Sequence, residues 1–546
     1  MVSNTTHGLR VTPAFAAPAR RWRGPQTGVA YDPAALGALL QEIERPLFVV
    51  RVGDQVGVTS DGATDGSTLT DGTELLAEAP AVDPRQFGDP AFRATYGVSH
   101  AYAAGAMANG IASEALVEAL GGAQLLASFG AAGLVPARVA AAINRIRQAL
   151  PDGPYAFNLI HSPSEAALEE RSTALFLEHG VTTVEASAYL ELTASIVQYR
   201  AAGLSSGPDG TVNIGNRIIA KVSRHEVARH FLSPAPAVFL QQLVTQGKIT
   251  PLQARLAETV PMADDLTAEA DSGGHTDNRP LLALLPALMA QRDELQAQYG
   301  FATPVRVGAA GGIGTPEAVL AAYAMGAAYV VTGSVNQSCK EAGTSPHARR
   351  LLSQADFADV IMAPAADMFE LGVKVQLLKR GTLFPLRAQK LYELYRAYDS
   401  LEAIPAAERQ TLERQIFRRS LDEVWADTEA FFRERDPEQL QRAAEHPRRK
   451  MALVFRWYLG LSSRWSNMGE PGREMDYQIW CGPAMGAFNR WAAGSFLEDW
   501  EQRSAVDVAF QLLRGAAYTW RVQQLRLQGV QIPQEFARYR PTPRPS

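Results

Sequence analysis

Residues 305–334, VRVGAAGGIGTPEAVLAAYAMGAAYVVTGS, decide the fold of this chain. The stretch begins with a short apolar run, and after a glycine turn it continues into a helical pattern with Pro316 in its first turn. The helical pattern ends at Gly326, and a second apolar run follows it. Proline near the start of a helix and glycine just past its end are the expected boundaries. The stretch therefore predicts a strand, a glycine turn, a helix and a second strand.

Both predicted strands lead into turns built from small residues, Ala310-Gly311-Gly312 after the first and Gly333-Ser334 after the second. Glycine lets a backbone come close to a ligand, and the N–H groups at the start of a helix bind anions. Each turn taken alone can also be interpreted as a tight connection that binds no ligand. Two such turns on neighbouring strands favour a phosphate clamp after the last two strands of a (β/α)₈ barrel.

The rest of the chain supports this fold class, because strand and helix patterns alternate eight times from about residue 92. Eight such units favour a closed (β/α)₈ TIM barrel over an open sheet. The candidate strands are 96–102, 124–128, 155–160, 182–186, 217–222, 266–270, 305–309 and 329–332.

Three domains follow from this rhythm: a small α+β cap over residues 1–90, the barrel over 91–345 and a helical C-terminal region over 346–546. The spacing after the fifth strand is too long and holds extra helical pattern over about 224–264. An insertion after a barrel strand is expected on the active-site face. We therefore predict that this insertion is a lid or a docking element.

Composition fits an ordinary globular enzyme. The chain has 546 residues, 47% hydrophobic and 20% charged, with a net charge of −5. This balance gives no sign of nucleic acid or membrane binding, and no stretch approaches 18 uninterrupted apolar residues. Two cysteines, Cys339 and Cys481, suit a reducing cytoplasm. No signal peptide and no metal site are predicted.

Polar residues in apolar strands mark the mouth of the predicted barrel, because a barrel carries its functional residues at the carboxyl ends of its strands. Asn158 interrupts the third strand, where it serves either packing or a ligand. Lys221 interrupts the fifth strand, and a buried lysine needs a partner. An ion pair with Glu185 is the structural explanation, and contact with an electron-rich ligand is the functional one.

His275 is the histidine in the best position for proton chemistry. It follows Gly273-Gly274 at the end of the sixth strand, and histidine titrates near neutral pH. The ligand itself stays open at this point, since barrel phosphate sites hold flavin mononucleotide (FMN), pyridoxal phosphate or phosphorylated substrates. Pyridoxal chemistry would use Lys221 as its Schiff-base lysine. The small residues of 105–110, GAMANG, favour a flat flavin ring.

Several of these motifs resemble those of the superfamily of nitronate monooxygenases and flavin-dependent enoyl reductases: GAMANG, SGGHTD, AAGGIGTPEAV and YVVTGS. The resemblance is closer to the PfaD-type trans-acting enoyl reductases of polyunsaturated fatty acid and trans-acyltransferase polyketide synthases. FNLIHSP, RIIAKVSR, ADSGGHTDNRPL and PGREMDYQIWCGPAMGAFN carry it over nearly the whole chain. The broader superfamily commonly has Glu-Ala before Gly-Gly-His, where this chain has Asp271-Ser272. That difference fits the PfaD branch.

The resemblance implies an FMN barrel that reduces enoyl thioesters on acyl carrier proteins with NADPH. His275 would then face the substrate as hydrogen-bond donor or acid, and Lys221 would stabilise the reduced, anionic flavin. The implied cofactor-binding residues are Gly105, Met107, Ala108 and Asn109 along the ring, Asn158 and Lys221 at its polar edge, Gly273 and Gly274 beside it, and Ala310, Gly311, Gly312, Gly333 and Ser334 at the phosphate.

Carrier proteins are generally acidic, so Arg224 and Arg229 on the insertion, or arginines of the tail, are candidate docking residues. Two other functions stay open: a nitronate monooxygenase that uses O₂ on the same cofactor, and a non-catalytic barrel that acts as an assembly factor. The oligomeric state also stays open, with a homodimer as one alternative.

Overall fold

The chain begins with a five-stranded antiparallel sheet and one helix. The computed structural model describes residues 9–12, 20–68, 73–161 and 166–543. Helix α1 (Pro33–Gln41) starts at Asp32, whose side chain accepts a hydrogen bond from the backbone N–H of Ala35. The predicted α+β cap is thus confirmed. In the spatial order β3-β2-β5-β1-β4, its strands are β1 (Arg20–Arg23), β2 (Leu47–Val52), β3 (Gln55–Thr59), β4 (Ala63–Thr68) and β5 (Thr73–Ala79).

Eight parallel strands then close into a barrel, as the sequence predicts. The barrel strands are β6 (Tyr102–Ala104), β7 (Leu126–Phe129), β8 (Ala156–Ile160), β9 (Thr183–Ser187), β12 (Arg217–Val222), β13 (Asp265–Glu269), β15 (Arg306–Ala310) and β16 (Val330–Thr332). Their order around the barrel is β12-β13-β15-β16-β6-β7-β8-β9. A short hairpin, β10 (Leu204–Ser206) and β11 (Val212–Ile214), precedes β12.

Helices follow most of these strands and cover the outside of the barrel. They include well-capped examples such as α3, where the Ser113 side chain accepts from the N–H of Leu116. The helices of this part are α2 (Pro90–Tyr96), α3 (Glu114–Gly122), α4 (Pro136–Ala149), α5 (Ala166–Glu178), α6 (Ala194–Ala202), α7 (His225–Leu232), α8 (Ala237–Thr245), α9 (Pro251–Ala257), α10 (Leu281–Tyr299), α11 (Pro316–Ala324) and α12 (Ser334–Gln337).

The first barrel strand was predicted too early, at 96–102. Residues up to Tyr96 form α2 instead, because Asp89 caps its start and Gly97 ends it in the left-handed conformation, at φ 64°. Tyr96 then donates a 2.5 Å hydrogen bond to Asp265, which Arg306 also contacts through two nitrogens at 2.7 Å. This buried triad lies at the amino ends of β13 and β15, so α2 packs against the end of the barrel opposite the predicted site.

The predicted insertion is helical, but its expected position over the barrel mouth is wrong. Only Ser223 and Arg224 separate β12 from α7, so the connection on the mouth side is short. The additional helices α8 and α9 come after α7, and both pack against α6 on the outer flank of the barrel. Sequence length alone does not tell whether extra helices precede or follow the regular barrel helix. Helices α8 and α9 therefore do not form the expected lid, and the alternative of a docking element stays a prediction.

The C-terminal part is helical with one difference from the prediction: it also contains two strands, β17 (Val360–Pro364) and β18 (Lys374–Leu378). Strand β18 is the middle strand of a three-stranded sheet, in which it pairs with β17 and with β14 (Gly274–His275), a two-residue strand in the loop after β13. The helices of this part are α13 (Pro346–Ser353), α14 (Phe384–Ala397), α15 (Ala406–Leu412), α16 (Leu421–Arg435), α17 (Glu438–Glu445), α18 (Pro447–Met468), α19 (Ala484–Ala492) and α20 (Ala505–Leu527).

The main hydrophobic core runs from the barrel helices into α19 and α20. Helix α20 packs closely on α11, where a Cβ atom at Gly515 would lie 2.4 Å from Pro316. Helices α14 and α18 build a second core with β17 and β18. Across the described residues, no helix combines the length and the apolar character that crossing a membrane requires. The domain limits at residues 90 and 345 stay predictions.

Candidate functional site

Lys221 is the centre of a charged cluster at the carboxyl ends of three neighbouring strands. Its Nζ lies 3.1 Å from Glu269 Oε1 and 3.4 Å from Glu185 Oε1. The strand order explains the meeting, because β9, β12 and β13 are adjacent in the barrel. The ion pair with Glu185 that the sequence offered as the structural explanation is therefore present. A second carboxylate, on Glu269, joins it.

Burial opposes the charge of Lys221, but Glu269 and Glu185 outweigh that effect and raise the pKa of the lysine above its usual value of 10.5. Lys221 thus stays protonated across the physiological range. Because one ammonium group faces two carboxylates, a Schiff-base role is disfavoured, since that role needs a neutral amine.

Glu185 connects this cluster to the loop after the first barrel strand. Its carboxylate accepts a hydrogen bond of 3.1 Å from the backbone N–H of Ala106. Asn158 on β8 donates to the backbone oxygen of Glu185 at 3.1 Å and to Ser187 Oγ at 2.8 Å. The Nδ2 group of Asn158 thus has two protein acceptors, and the contact of Asn158 with a cofactor stays a prediction. These contacts fix the strand ends beneath the barrel mouth.

The two glycine turns lie side by side, because β15 and β16 pair with Ala310 opposite Val331. Gly311 and Gly312 both adopt positive φ, 85° and 74°. A Cβ atom added at Gly311 would lie 2.6 Å from the backbone of Ala270 on the neighbouring strand, so this position requires glycine. The turn at Gly311 is therefore packed tightly against the end of β13.

The same turns leave room for a ligand. A Cβ atom added at Gly312 or at Gly333 would meet no atom within 4 Å. The hydroxyl of Ser334 accepts a 3.0 Å hydrogen bond from the N–H of Gly482, which brings the segment before α19 to the edge of this space. Open, glycine-lined backbone beside a hydroxyl fits the phosphate end of FMN.

The GAMANG loop, 105–110, lies against the loop after β7. The backbone N–H of Gly110 donates to the oxygen of Gly130 at 2.9 Å, and Met107 lies so close that a Cβ atom at Gly130 would clash with its carbonyl oxygen. Met107 and Ala108 are half-buried at the mouth, as a ring-lining role requires. Gly105 is buried, and a Cβ there would lie 3.0 Å from Val331.

Asn109 connects this loop to helix α18. It adopts a positive φ of 58°, and its Nδ2 donates to Ser463 Oγ of α18 at 3.1 Å. Asparagine tolerates this backbone conformation better than most residues. The side chain therefore joins the loop to the C-terminal part of the chain, and the position of Asn109 beside a ring stays a prediction.

His275 belongs to β14, which pairs with β18 through Gly274 opposite Gln376 and His275 opposite Val375. Its Nε2 lies 3.2 Å from Asp367 Oδ1 in the connection between β17 and β18. Partial burial lowers the pKa of His275, but the hydrogen bond and charge of Asp367, with a contribution from Glu269, raise it above the usual 6.5.

Gln376 holds the loop that carries His275. Its Nε2 donates to Asp271 Oδ1 at 2.7 Å and to the backbone oxygen of Ser272 at 2.8 Å. Gly273 lies against the backbone of Cys481, 3.0 Å from where its own Cβ would be, whereas a Cβ at Gly274 would meet nothing within 4 Å. Of the two glycines expected beside the cofactor, Gly274 is thus the one with an open face.

Sequence reasoning missed Glu269, Asp367 and Gln376. Glu269 had a signal, because an acidic residue in the apolar run LTAEA is as conspicuous as Lys221 in its own strand. Asp367 and Gln376 had none, since both reach the site only through the pairing of β14 with β18.

Two family models match separate parts of the chain. Residues 22–81 match the N-terminal domain of the fatty acid synthase protein PfaD. Residues 398–477 match the inserted helical domain of [acyl-carrier-protein] S-malonyltransferase. The first match covers most of the N-terminal sheet, and the second covers α15–α18.

Larger proteins share long stretches of this sequence. A polyunsaturated fatty acid synthase component of Thraustochytrium sp. is 50% identical over 497 residues, which are 89% of this chain and 32% of that protein. The polyketide biosynthesis protein PksE of Bacillus subtilis is 44% identical over 437 residues, 80% of this chain and 57% of that protein. The chain thus spans about a third of the first relative and just over half of the second.

A solved structure matches most of this chain. It is the crystal structure of the enoyl reductase domain of MlnA, from the macrolactin biosynthesis cluster of Bacillus amyloliquefaciens. The two share 38% identity with a TM-score of 0.77, over 81% of this chain and 99% of that domain. An identity of this size over a complete domain indicates common descent as well as a common fold.

Proposed function

This chain belongs to the family of PfaD-type enoyl reductases, and from that membership we propose its reaction. It uses NADPH and bound FMN to reduce the α,β-double bond of an enoyl thioester that is attached to an acyl carrier protein. The pathway is the assembly of a polyketide or a polyunsaturated fatty acid, and the setting is the cytoplasm.

The observation that carries this proposal is that three kinds of functional group lie at the same end of the barrel. The open glycine turns at Gly312 and Gly333, the protonated Lys221 and the half-exposed His275 all belong to the carboxyl ends of barrel strands or to the loops after them. An anion site, a fixed cation and a titratable group within one mouth are the parts that flavin-based reduction requires.

The glycine turns and Ser334 would hold the FMN phosphate through backbone N–H groups, which bind an anion without a bulky side chain. Met107, Ala108 and the open face of Gly274 would lie along the ring. When bound, FMN accepts a hydride from NADPH and passes it to the β-carbon of the substrate.

Lys221 would supply positive charge near the polar edge of the ring. Its ammonium group is held by Glu185 and Glu269, so its position is fixed before a ligand arrives. Fixed charges cost little reorganisation when charge develops during a reaction. The two carboxylates would also offset the positive charge of the lysine, so its electrostatic effect on the ring would be smaller than that of an unpaired lysine.

His275 would hydrogen-bond the thioester oxygen or protonate the α-carbon. In the protonation step the N–H bond of the imidazolium breaks and a C–H bond forms at the α-carbon. Hydride addition at the β-carbon displaces the π electrons of the double bond toward the α-carbon. These electrons form the new C–H bond there. The neutral imidazole then regains a proton from water.

Arg224 is the better placed of the two arginines proposed for carrier docking. It contacts Asp277 through two nitrogens at 2.8 Å, and Asp277 lies two residues after His275. Arg229 lies further along α7, beside Glu226 and toward α10 on the outer flank. An acidic carrier protein that delivers its thioester to the mouth would therefore meet Arg224 first.

The decisive experiment is anaerobic. Protein reconstituted with FMN is mixed with NADPH, and the flavin absorbance should fall; a carrier-bound crotonyl thioester should then restore it with formation of the saturated product. A flavin that NADPH bleaches but the enoyl substrate does not restore would contradict the proposed reaction.

Two controls separate the competing functions. Oxygen uptake with a nitroalkane, in place of enoyl reduction, would indicate a nitronate monooxygenase. A colourless protein that FMN cannot reconstitute would indicate the non-catalytic assembly factor.

A further inference from the structure

The partner of His275 comes from outside the barrel. Asp367 lies between β17 and β18, 92 residues further along the chain, and its Oδ1 lies 3.2 Å from Nε2 of the imidazole. We propose that Asp367 is a positioning residue that fixes the His275 ring and keeps it protonated, so that barrel and C-terminal part share one proton-donating pair. This inference rests on the proposed function, since it concerns the acid of that reaction.

The contact determines which ring nitrogen can act. A carboxylate only accepts hydrogen bonds, so Asp367 requires the proton of His275 to be on Nε2. Among the described residues, this is the single side-chain hydrogen bond that the structure records for the ring. Nδ1 is then the nitrogen that can carry the second proton toward a substrate. A carboxylate that holds one imidazole nitrogen while the other exchanges a proton is a recurring catalytic arrangement.

The aspartate is itself held in place. Its Oδ1 accepts a 3.1 Å hydrogen bond from the N–H of Met368, and the connection that carries it is closed by the five-residue pairing of β17 with β18. The pairing of β14 with β18 fixes His275 to the same sheet. Both members of the pair therefore belong to one rigid unit, which is the condition for a precise hydrogen bond.

The charges around the pair come from three other elements. Glu269 on β13 favours the protonated imidazole, whereas Lys221 on β12 opposes it. Arg456 on α18 favours the ionised form of Asp367. Burial raises the pKa of Asp367, but His275 and Arg456 lower it below its usual value of 3.8. The surroundings thus favour an ion pair, and Asp367 contributes the largest stabilisation of the charged imidazole.

The test compares Asp367→Asn with wild-type holoenzyme. As the pH is raised, the rate of enoyl reduction should begin to fall at a pH about one unit lower in the variant than in the wild type. The reason is that removal of an adjacent opposite charge lowers a pKa by roughly 1 unit or more. At a pH above the new limit, the rate should be about 10-fold lower than that of the wild type, the equivalent of one unit. Reduction of the flavin by NADPH needs no acid from His275, so the loss at alkaline pH should be confined to reoxidation of the flavin by the enoyl substrate.

Two further variants test specificity. Asp367→Glu keeps the carboxylate and should restore part of the alkaline activity. Asp359→Asn makes the same chemical change just before β17, where the aspartate pairs with Arg380, and should leave the pH profile unchanged. A rate loss in Asp367→Asn that is equal at every pH would overturn the proposal, and so would a wild-type profile.

Direct titration of His275 by NMR separates this inference from the proposed function. The resonance should titrate above 6.5 in the wild type and at lower pH in Asp367→Asn, whether or not the protein reduces enoyl thioesters. Equal titration in both proteins would overturn the role of Asp367 and leave the proposed reaction untouched. A shifted titration in a protein without enoyl reductase activity would instead contradict the proposed function.

Discussion

Lys221 Nζ lies 3.1 Å from Glu269 Oε1, between two neighbouring strands of the barrel. Because Glu185 lies on the other side of the lysine, the cluster carries one positive and two negative charges in all. In the proposed function, the two carboxylates would offset the positive potential of the lysine at a bound ring.

Changes to this cluster should move the flavin midpoint potential in opposite directions. Glu269→Gln removes a negative charge and should raise the potential, while Lys221→Met should lower it. We expect shifts of roughly 30 mV, the two-electron equivalent of the ~1.4 kcal/mol that a partly screened charge contributes. Redox titration of the holoenzyme measures both values. Glu118→Gln, in the half-exposed pair with Arg145, is the matched control, and an equal shift there would contradict the assignment.

Gly333→Ala should weaken FMN binding without harming the fold. The position has no positive φ, and an added Cβ would meet no protein atom within 4 Å. A methyl group would therefore occupy only the space assigned to the phosphate. We expect affinity to fall by about 10-fold or more, since each lost charge-assisted hydrogen bond costs about 1.5–3 kcal/mol.

Flavin fluorescence on dilution measures this affinity. Gly312→Ala should add backbone strain at φ 74°, and Gly247→Ala at the α8–α9 turn has the same strain at φ 68° with equally open space. If Gly247→Ala lost flavin as readily as Gly312→Ala, the effect would come from strain rather than from the cradle.

The pair of His275 and Asp367 should stabilise the fold within a defined pH range. The lowered pKa of Asp367 makes its contribution complete above 3.8 and removes it as the pH falls through the folded value. The raised pKa of His275 makes its contribution complete below 6.5 and removes it as the pH rises through the folded value. The difference in melting temperature between wild type and Asp367→Asn should therefore be greatest between these limits. Thermal unfolding at several pH values tests this, and a constant difference would count against the pair.

Arg224→Glu should raise the KM for a carrier-bound enoyl substrate several-fold, because the new charge repels both Asp277 and an acidic carrier protein. Arg229→Glu, on the outer flank, should have a smaller effect. A short thioester without the carrier should show the same KM with all three proteins. Equal changes for both kinds of substrate would point to damage at the mouth instead of lost docking.

Arg306→Met should destabilise the barrel strongly. The arginine neutralises Asp265, whose side chain is fully buried at the base of the barrel. Loss of one partner in a buried ion pair costs about 3–5 kcal/mol, whereas an exposed pair contributes about 0–1 kcal/mol. Thermal unfolding should thus show a drop of several degrees for Arg306→Met and little change for Arg145→Met. A similar midpoint for both would refute this role.

The sequence predicts those features that depend on local pattern. The glycine turns and eight strands are readable because each is defined by its own residues and their spacing. Strand β6 begins later than predicted because Gly97 ends α2 in the left-handed conformation and residues 98–101 form a connection before the strand. Asp367 could not be found, because its role exists only once β14 and β18 have met. The same limit explains why the insertion was assigned to the wrong side of the barrel.

Because β14 forms a sheet with β17 and β18, the barrel depends on the C-terminal part and should not be separated from it. Truncation of the chain after the eighth barrel strand would remove β18, which pairs with the loop of His275, and would also remove α19 and α20 from the main core. A fusion of this protein to an engineered synthase should therefore include the helical C-terminal part together with the barrel, and the new junctions should lie outside both.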